Sequence, residues 1–287
     1  MKKFDFRTPM IYTLTSIIVI LLIIMKKMDD EKKEQDLENR MVEVESRKEE
    51  EEDVSDTILP EKPTPIMRGV IGIVIDDFGY RNDEISDGFL ELDARLTYAI
   101  IPGHRYSTSF GEKAVESGHE VIVHMPMENT GKTYGEEEFV LMTAMDNETI
   151  QRRLNSAIEE IPTAIGMNNH QGSKASADQN IMSNVAKVMK ERGFFFLDSR
   201  TTIETIGETT MEVFGVPTAR RNIFLDNEDD EEKIEKQLMK LVKRSEEVGS
   251  AIGIGHVKPK TLNVLSDQIP KLKKKGYKFE FVSNMLH

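Results

Sequence analysis

The sequence predicts an α/β fold in which parallel strands form a closed or nearly closed (β/α) barrel. The first observation behind this prediction is the run Gly69–Ile75 (GVIGIVI), whose β-branched residues are typical of a strand buried on both faces. The second is the alternation of such runs with polar, helix-compatible stretches after residue 68. The third is a glycine that ends several of these stretches just before the next strand (Gly118, Gly193, Gly249 and Gly276). An open doubly wound sheet is the structural alternative.

The other predicted elements follow from the same pattern. Further strands are expected over Leu96–Ile101, Glu120–Met125, Thr163–Met167, Phe194–Leu197, Val216–Ala219, Ala251–Ile254 and Lys278–Val282. Helices are expected over 82–92, 106–117, 146–160, 178–192, 228–248 and 260–275. Because the strands are expected to be parallel, their carboxyl ends open onto one face of the barrel, where an active site can be built from several strands.

The composition excludes several classes of function. The 287 residues include no cysteine, which rules out a disulfide framework, a thiolate metal site and a cysteine nucleophile. The net charge of −13 argues against non-specific nucleic-acid binding. The first strand runs into IDDFGYRND without a glycine-rich dinucleotide fingerprint, and the chain has no GxxxxGK loop, so no nucleotide cofactor is expected.

The first 67 residues are predicted to lie outside the folded domain. Residues 10–25 carry no charge, are flanked by bases and are followed by no small-residue cleavage pattern, so residues 1–28 are expected to form an uncleaved signal anchor, a transmembrane helix. A buried core helix is the alternative. Residues 29–67 are an acidic, proline-containing linker, either a solvated spacer or a short helix or weak coiled coil. The bases before the apolar run slightly outnumber those just after it, which favours an extracytoplasmic domain over 68–287.

Polar residues collect where the predicted strands end. They are Asp76 and Asp77, His124 and Glu128, Asn168 to Ser173, Asp198 to Arg200, and His256. Adjacent buried carboxylates are costly without a cation or a proton, so the Asp76-Asp77 pair favours a functional role over a helix cap or a turn. Three histidines that converge with carboxylates indicate one divalent metal ion, with Zn²⁺ as the default. His119 precedes a strand and is assigned to the opposite face.

Residues 68–287 resemble the divergent polysaccharide deacetylase family, a branch of the NodB-like carbohydrate esterase fold. The resemblance is carried by an ordered set of motifs: VIDDFG (74–79), GHEVIVHMPME (118–128), NNHQGS (168–173), FFLDSRT (195–201), FLDN (224–227) and GIGH (253–256). It implies a distorted (β/α) barrel with one divalent metal, and removal of N- or O-linked acetyl groups from a sugar.

The resemblance also implies roles for individual residues. Asp76 would be the general base, Asp77 and His124 would bind the metal, and His256 would be the general acid. In ordinary NodB-like deacetylases a second histidine follows the first by four residues, but this chain has Glu128 there. His170 is therefore favoured as the third ligand, with Glu128 as an alternative ligand or a partner of the ligands. Asp198, or another nearby acid, is suggested to orient His256, and Asn169, Ser173 and Arg200 to bind the sugar.

Together these features predict a metal-dependent deacetylase of a cell-envelope polysaccharide, tethered to the membrane. The usual Arg-x-Pro-Tyr and Asp-x-x-x-Trp motifs are not evident, and the chain has no tryptophan. One alternative is therefore a glycan-binding or envelope protein on the same fold that has lost turnover. Another is a metal-dependent hydrolase of some other amide or ester. Arg220-Arg221 and Asp226-Asn227, on either side of the sixth strand region, are assigned either to substrate binding or to loop salt bridges and turns.

Overall fold

The computed structural model describes residues 67–133 and 135–287. The predicted signal anchor and the linker up to residue 66 lie outside these residues. Among the helices of the described part, none is both long and apolar enough to cross a bilayer.

Strands and helices alternate along the described chain, as the sequence predicts. The strands are β1 (Gly69–Phe78), β2 (Thr97–Ile100), β3 (Glu120–Met127), β4 (Gly166–Gln171), β5 (Phe195–Asp198), β6 (Thr218–Arg220), β7 (Ile223–Phe224), β8 (Ser250–His256) and β9 (Tyr277–Phe279). The helices are α1 (Glu84–Leu90), α2 (Ser107–Glu116), α3 (Asn147–Glu160), α4 (Gln179–Arg192), α5 (Gly207–Phe214), α6 (Glu231–Val248) and α7 (Pro259–Lys274).

All strand pairs in the described sheet are parallel, and β1 pairs with three other strands, β2, β8 and β9. The strand order is β6-β5-β4-β3-β2-β1-β8-β7, and β9 pairs with the first residues of β1. Only two residues separate β6 from β7 along the chain, yet no ladder joins these two among the described strands. The sheet is therefore a curled, parallel half-barrel. The parallel (β/α) architecture is confirmed, but the expected barrel is open between its end strands β6 and β7 among the described residues.

Both faces of the sheet are buried, which explains the continuous apolar runs of its strands. Ile71, Ile73 and Ile75 of β1 pack with the helices in the larger apolar cluster. Val74, on the other face, belongs to a second cluster, the inner cluster, built from strand residues and the chain after β9, with no residue from α1 to α7. Burying one such side chain contributes about 1.5–3 kcal/mol. The alternation matters for function, because the positions that follow the inner cluster along each strand point toward the mouth of the half-barrel.

Four elements differ from the prediction. Strand β4 begins later than Thr163 and extends through polar residues to Gln171, because its Met167–Gln171 segment pairs with β3. Helix α5 begins at a glycine without a side-chain cap, and β7 has two residues, so neither carries a sequence signal. The last strand ends at Phe279, before the predicted Val282, because the chain there turns into a 3₁₀ helix.

Candidate metal centre

The end of strand β1 is irregular and places two adjacent carboxylates at the mouth. The register between β1 and β2 shifts between Ile75 and Phe78, and Asp77 has a φ of 70°. In a regular strand neighbouring side chains point to opposite faces, whereas a bulge re-aims one of them. A left-handed aspartate costs of the order of 1 kcal/mol or more, and such strain is common at functional sites. Asp76 is almost fully buried, whereas the Asp77 side chain is 30% exposed.

Three donor atoms from three strands meet at this point. Oδ1 of Asp77 lies 3.3 Å from Nε2 of His124 and 3.2 Å from Nδ1 of His170, and the two nitrogens are 3.0 Å apart. In a tetrahedral site with bonds near 2.0–2.1 Å, ligand atoms lie about 3.3 Å from one another, so the triangle has the size that Zn²⁺ requires. Oδ1 of Asp77 is also buried without a hydrogen bond of normal geometry. The donor set therefore fits a divalent cation.

Asn168 holds two members of the centre in place. Its Oδ1 accepts a hydrogen bond from Nδ1 of His124 at 2.7 Å, which leaves the lone pair on Nε2 free for a cation. Its Nδ2 donates to Oδ1 of Asp76 at 2.9 Å. Sequence reasoning did not single out Asn168 for a role. Asn168 of β4 pairs with His124 of β3, so a predicted register for these two strands would have indicated the contact.

Electrostatics in the cluster follow from its burial and its opposite charges. Burial raises the pKa of Asp76, despite the opposing charges of His124 and His256. Burial works against ionisation of Asp77 as well, but the close ring nitrogens of His124 and His170 and the charges of His124 and His256 outweigh it, so the pKa of Asp77 lies far below its ordinary value. Burial lowers the pKa of His124, yet Asp76 and Asp77 prevail and raise it to about 9. The pKa values of Asp76, Asp77 and His124 are thus set by burial and by one another's charges.

His256 is held by Asp226, not by Asp198. Oδ1 of Asp226 lies 2.8 Å from Nδ1 of His256, and its Oδ2 accepts hydrogen bonds from the His256 backbone N and the Thr261 hydroxyl, both at 2.7 Å. Nε2 of His256 lies 3.9 Å from Oδ2 of Asp77, so the ring borders the metal centre. Burial opposes protonation, but Asp226 outweighs it and raises the pKa of His256.

The suggested orienting role of Asp198 is wrong for a geometric reason. Leu197 faces the inner cluster, so Asp198, the next residue of β5, points the other way. Its carboxylate accepts hydrogen bonds from the Arg200 backbone N and the Thr205 hydroxyl, both at 2.8 Å. It therefore shapes the loop between β5 and α5.

The Glu128 carboxylate makes its contacts outside the metal centre. Its Oε1 lies 2.7 Å from Nζ of Lys174, and its Oε2 accepts hydrogen bonds from the backbone N and the hydroxyl of Thr143. Of the two candidates for the third ligand, His170 is the one that the described structure brings to Asp77 and His124.

The three predicted sugar-binding residues have different surroundings. Asn169 is buried and uses its amide within the protein, accepting from the Ser199 backbone N and donating to the Gln171 carbonyl. Ser173 makes its hydrogen bonds to Thr130 and Asn129 in the loop after β3. Arg200 and Asn169 both line the cavity at the centre.

A cavity of about 400 Å³ opens over the centre. Asp76, His124, His170 and His256 line one part of it, and Arg200, Arg221 and Phe224 line another. The Arg221 guanidinium is fixed by hydrogen bonds to the Ser199 and Arg200 carbonyls. Sequence reasoning left Arg221 between two roles, and the structure places it at the edge of this cavity.

Comparison with known proteins agrees with the fold and the motifs. The family model for "Divergent polysaccharide deacetylase" matches residues 73–286. The uncharacterized protein YibQ of Escherichia coli K12 is 33% identical over 209 residues, which cover 73% of this chain and 65% of YibQ. An uncharacterized protein of Haemophilus influenzae is 34% identical over 68% of this chain and 69% of its own length. The match thus leaves about a third of YibQ uncovered.

Solved structures share the fold at low sequence identity. An uncharacterized protein of Agrobacterium tumefaciens C58 superposes with a TM-score of 0.72 at 20% identity, over 79% of this chain and 92% of that protein. A mutant of a CE4-family pseudoenzyme of Bacillus anthracis, with restored enzymatic activity, superposes with a TM-score of 0.51 at 16% identity, over 77% of this chain and 68% of that protein. With the family match over most of the described domain, these findings lead to one conclusion: the chain belongs to the divergent polysaccharide deacetylase family.

Proposed function

We propose that the protein is a metal-dependent deacetylase that hydrolyses N- or O-linked acetyl groups on a cell-envelope polysaccharide. The observation that carries the proposal is the convergence of three kinds of group at one cavity. The Asp77, His124 and His170 donors fit a divalent cation, with Zn²⁺ as the expected ion. The buried Asp76 carboxylate borders them on one side, and the His256–Asp226 pair borders them on the other.

The chemistry follows from the position of each group. A divalent cation held by these ligands would supply Lewis-acid polarisation of the acetyl carbonyl and of a water molecule. Asp76 accepts the proton from the attacking water, and its raised pKa makes it a stronger base than an exposed aspartate. His256 donates its proton to the departing sugar nitrogen or oxygen as the bond to the acetyl carbon breaks. Asn168 keeps Asp76 aligned with the centre through the 2.9 Å hydrogen bond to Oδ1.

A glycan-binding protein without turnover is the second candidate. Two observations favour it: the histidine that ordinarily follows His124 is replaced by Glu128, and one fold neighbour is described as a pseudoenzyme. The first observation is weakened by His170, whose Nδ1 lies close to the other two donors. The deacetylase therefore remains the main proposal.

Substitution of the two adjacent aspartates separates metal binding from turnover. Asp77→Ala should lower Zn²⁺ affinity by at least about 100-fold and abolish acetate release, because it removes a ligand. Asp76→Asn should keep one equivalent of Zn²⁺ but lower kcat by about 10²- to 10⁴-fold, the usual contribution of a positioned base. Metal content by mass spectrometry and acetate release from acetylated glycans measure the two effects.

Glu128→Gln is the matched control, because it makes the same carboxylate-to-amide change outside the proposed ligand set. This variant should retain both Zn²⁺ and turnover. Loss of Zn²⁺ in Glu128→Gln with retention in a His170→Ala variant would contradict the ligand assignment. Full binding of glycans by wild-type protein with no acetate release, across several metals, would favour the second candidate.

A further inference from the structure

A basic groove lies beside the candidate active site. It has a volume of about 680 Å³, and six of the residues that line it are cationic, whereas Glu247 is its one acidic lining residue. The six are Arg200, Arg220, Arg221, Lys240, Lys243 and Arg244. Residues 57–287 have a net charge of −8, so this concentration of positive charge runs against the charge of the domain. A surface of this kind attracts anions.

Much of the positive charge in the groove is not neutralised internally. Within the part of the chain that the structure describes, the side chains of Arg200 and Lys240 make no ion pair or hydrogen bond. Lys243 and Arg244 share a single carboxylate, Glu247, at 3.9 and 3.8 Å. Such long, exposed pairs contribute little, so these cations remain available to a ligand.

The groove is continuous with the active-site cavity. Arg200, Thr201 and Arg221 line both spaces. Arg221 is fixed at this junction by its two carbonyl partners and by the Phe224 ring, 5.0 Å from its guanidinium carbon. A chain molecule whose acetyl group reaches the metal centre can therefore extend into the groove without leaving the protein surface.

The shape and the apolar residues of the groove fit a polymer strand. Ile203, which is 92% exposed, and Ile223 line it together with the cations. The aliphatic faces of sugar rings can pack on such side chains while charged substituents meet the cations. A flat membrane surface would contact the rim of a concave groove and would leave its floor uncovered.

We infer that this groove binds anionic substituents, carboxylates or phosphates, of the same glycan chain whose acetyl group is hydrolysed at the metal centre. The inference rests on the proposed function and narrows its substrate class to acidic polysaccharides. Carboxylate and phosphate groups satisfy the same cations, so the experiment distinguishes them by separate probes.

The test compares a groove variant with a control variant of equal charge in the full-length protein. Lys240→Ala/Lys243→Ala removes two groove cations from α6. Lys187→Ala/Lys274→Ala removes two exposed lysines from α4 and α7, outside the groove. The probes are partly acetylated polygalacturonate, poly(glycerol phosphate), neutral acetylated xylan and vesicles containing phosphatidylglycerol. Affinities are measured at low and at physiological salt, and acetate release is followed in parallel.

The groove variant should bind at least one of the two anionic polymers about tenfold more weakly than the control variant, which should match wild type. Affinity for neutral xylan and the rate on a small neutral acetyl ester should be the same in all proteins. Equal binding of an anionic polymer by both variants, or no preference of wild type for anionic over neutral polymer, would overturn the inference. Binding of vesicles alone, dependent on Lys240 and Lys243, would also overturn it in favour of a membrane surface.

Failure of the proposed function gives a different result. If no protein releases acetate from any substrate but the groove variant still loses binding to an anionic polymer, the deacetylase proposal fails and the groove assignment holds. If wild type releases acetate and the groove variant binds every polymer as the control does, the deacetylase holds and the groove assignment fails.

Discussion

Among the neighbours that favour protonation of His256, Asp226 has the largest effect. Asp226 contacts the ring nitrogen, and burial alone would lower the pKa of His256. Because the carboxylate outweighs burial, the protonated ring persists above its ordinary pKa of 6.5. A general acid must be protonated to act, so Asp226 extends the active range of the proposed enzyme toward higher pH.

Asp226→Asn should move the basic limb of the pH profile of kcat/KM to lower pH. The change removes the charge that raises the pKa of His256, so the imidazolium is lost earlier as the pH rises. Activity above neutral pH should fall by up to about 100-fold, the lower range for a positioned acid. Asp198→Asn is the control, since that carboxylate bonds Arg200 and Thr205 instead. If Asp198→Asn shifts the basic limb and Asp226→Asn leaves it in place, the pairing proposed for His256 is incorrect.

Strand-end position predicts most of the side chains that converge, but not their partners. Asp76, Asp77, His124, His170 and His256 lie at or just after the ends of predicted strands, and all five lie at the cavity or the centre. Asp226 was ambiguous because it follows the two-residue strand β7, which pairs with β8 alone and has no apolar periodicity to reveal it. Assigning Asp198 required knowing which face of β5 it occupies, and a four-residue strand leaves that undetermined.

Three parallel strands form the centre as a unit. His124 on β3 lies opposite Asn168 on β4, and Asn168 reaches Asp76 on β1. Val74, Ile122 and Leu197 of the inner cluster are followed two positions later by Asp76, His124 and Ser199. Side chains on one face of a strand recur every two residues. On the inner face of each of these strands, an apolar side chain is therefore followed directly by a polar one at the mouth.

Asn168→Ala should weaken metal binding without unfolding the domain. It removes the acceptor that fixes the His124 tautomer, and loss of such an outer partner typically costs about 10- to 100-fold in metal affinity. Calorimetric titration with Zn²⁺ measures the effect, and denaturant unfolding measures stability.

Asn184→Ala is the matched control for that variant, because Asn184 is equally buried and hydrogen-bonded but lies on α4, bonded to Asn147 and Gln151. It should lower the free energy of unfolding by about 1–3 kcal/mol and leave Zn²⁺ affinity unchanged. Equal Zn²⁺ affinity in wild type and Asn168→Ala would show that Asn168 does not support metal binding.

The metal centre links ion binding to the folding stability of the described domain. Its ligands come from strands far apart in sequence, so only the folded chain brings them together, and a bound cation stabilises the folded state. In the cation-free protein, the raised pKa of His124, about 9, means that its proton stabilises the fold fully below the unfolded value near 6.5. That contribution is lost as the pH rises through about 9. A cation must displace the same proton, so its stabilising effect has the opposite pH dependence.

Zn²⁺ should therefore raise the melting temperature more at about pH 8 than at about pH 6. If one proton leaves His124 for each ion bound, affinity increases by about tenfold per pH unit in this range. At a Zn²⁺ concentration about 100-fold above Kd at the higher pH, the stabilisation is about 2.7 kcal/mol, or about 5–10 °C, whereas at the lower pH it falls to about 0.4 kcal/mol. Calorimetric melting of wild type with Zn²⁺ or with a chelator measures both shifts. Asp77→Ala should show neither shift, and a wild-type shift of equal size at the two pH values would mean that the ion does not compete with the His124 proton.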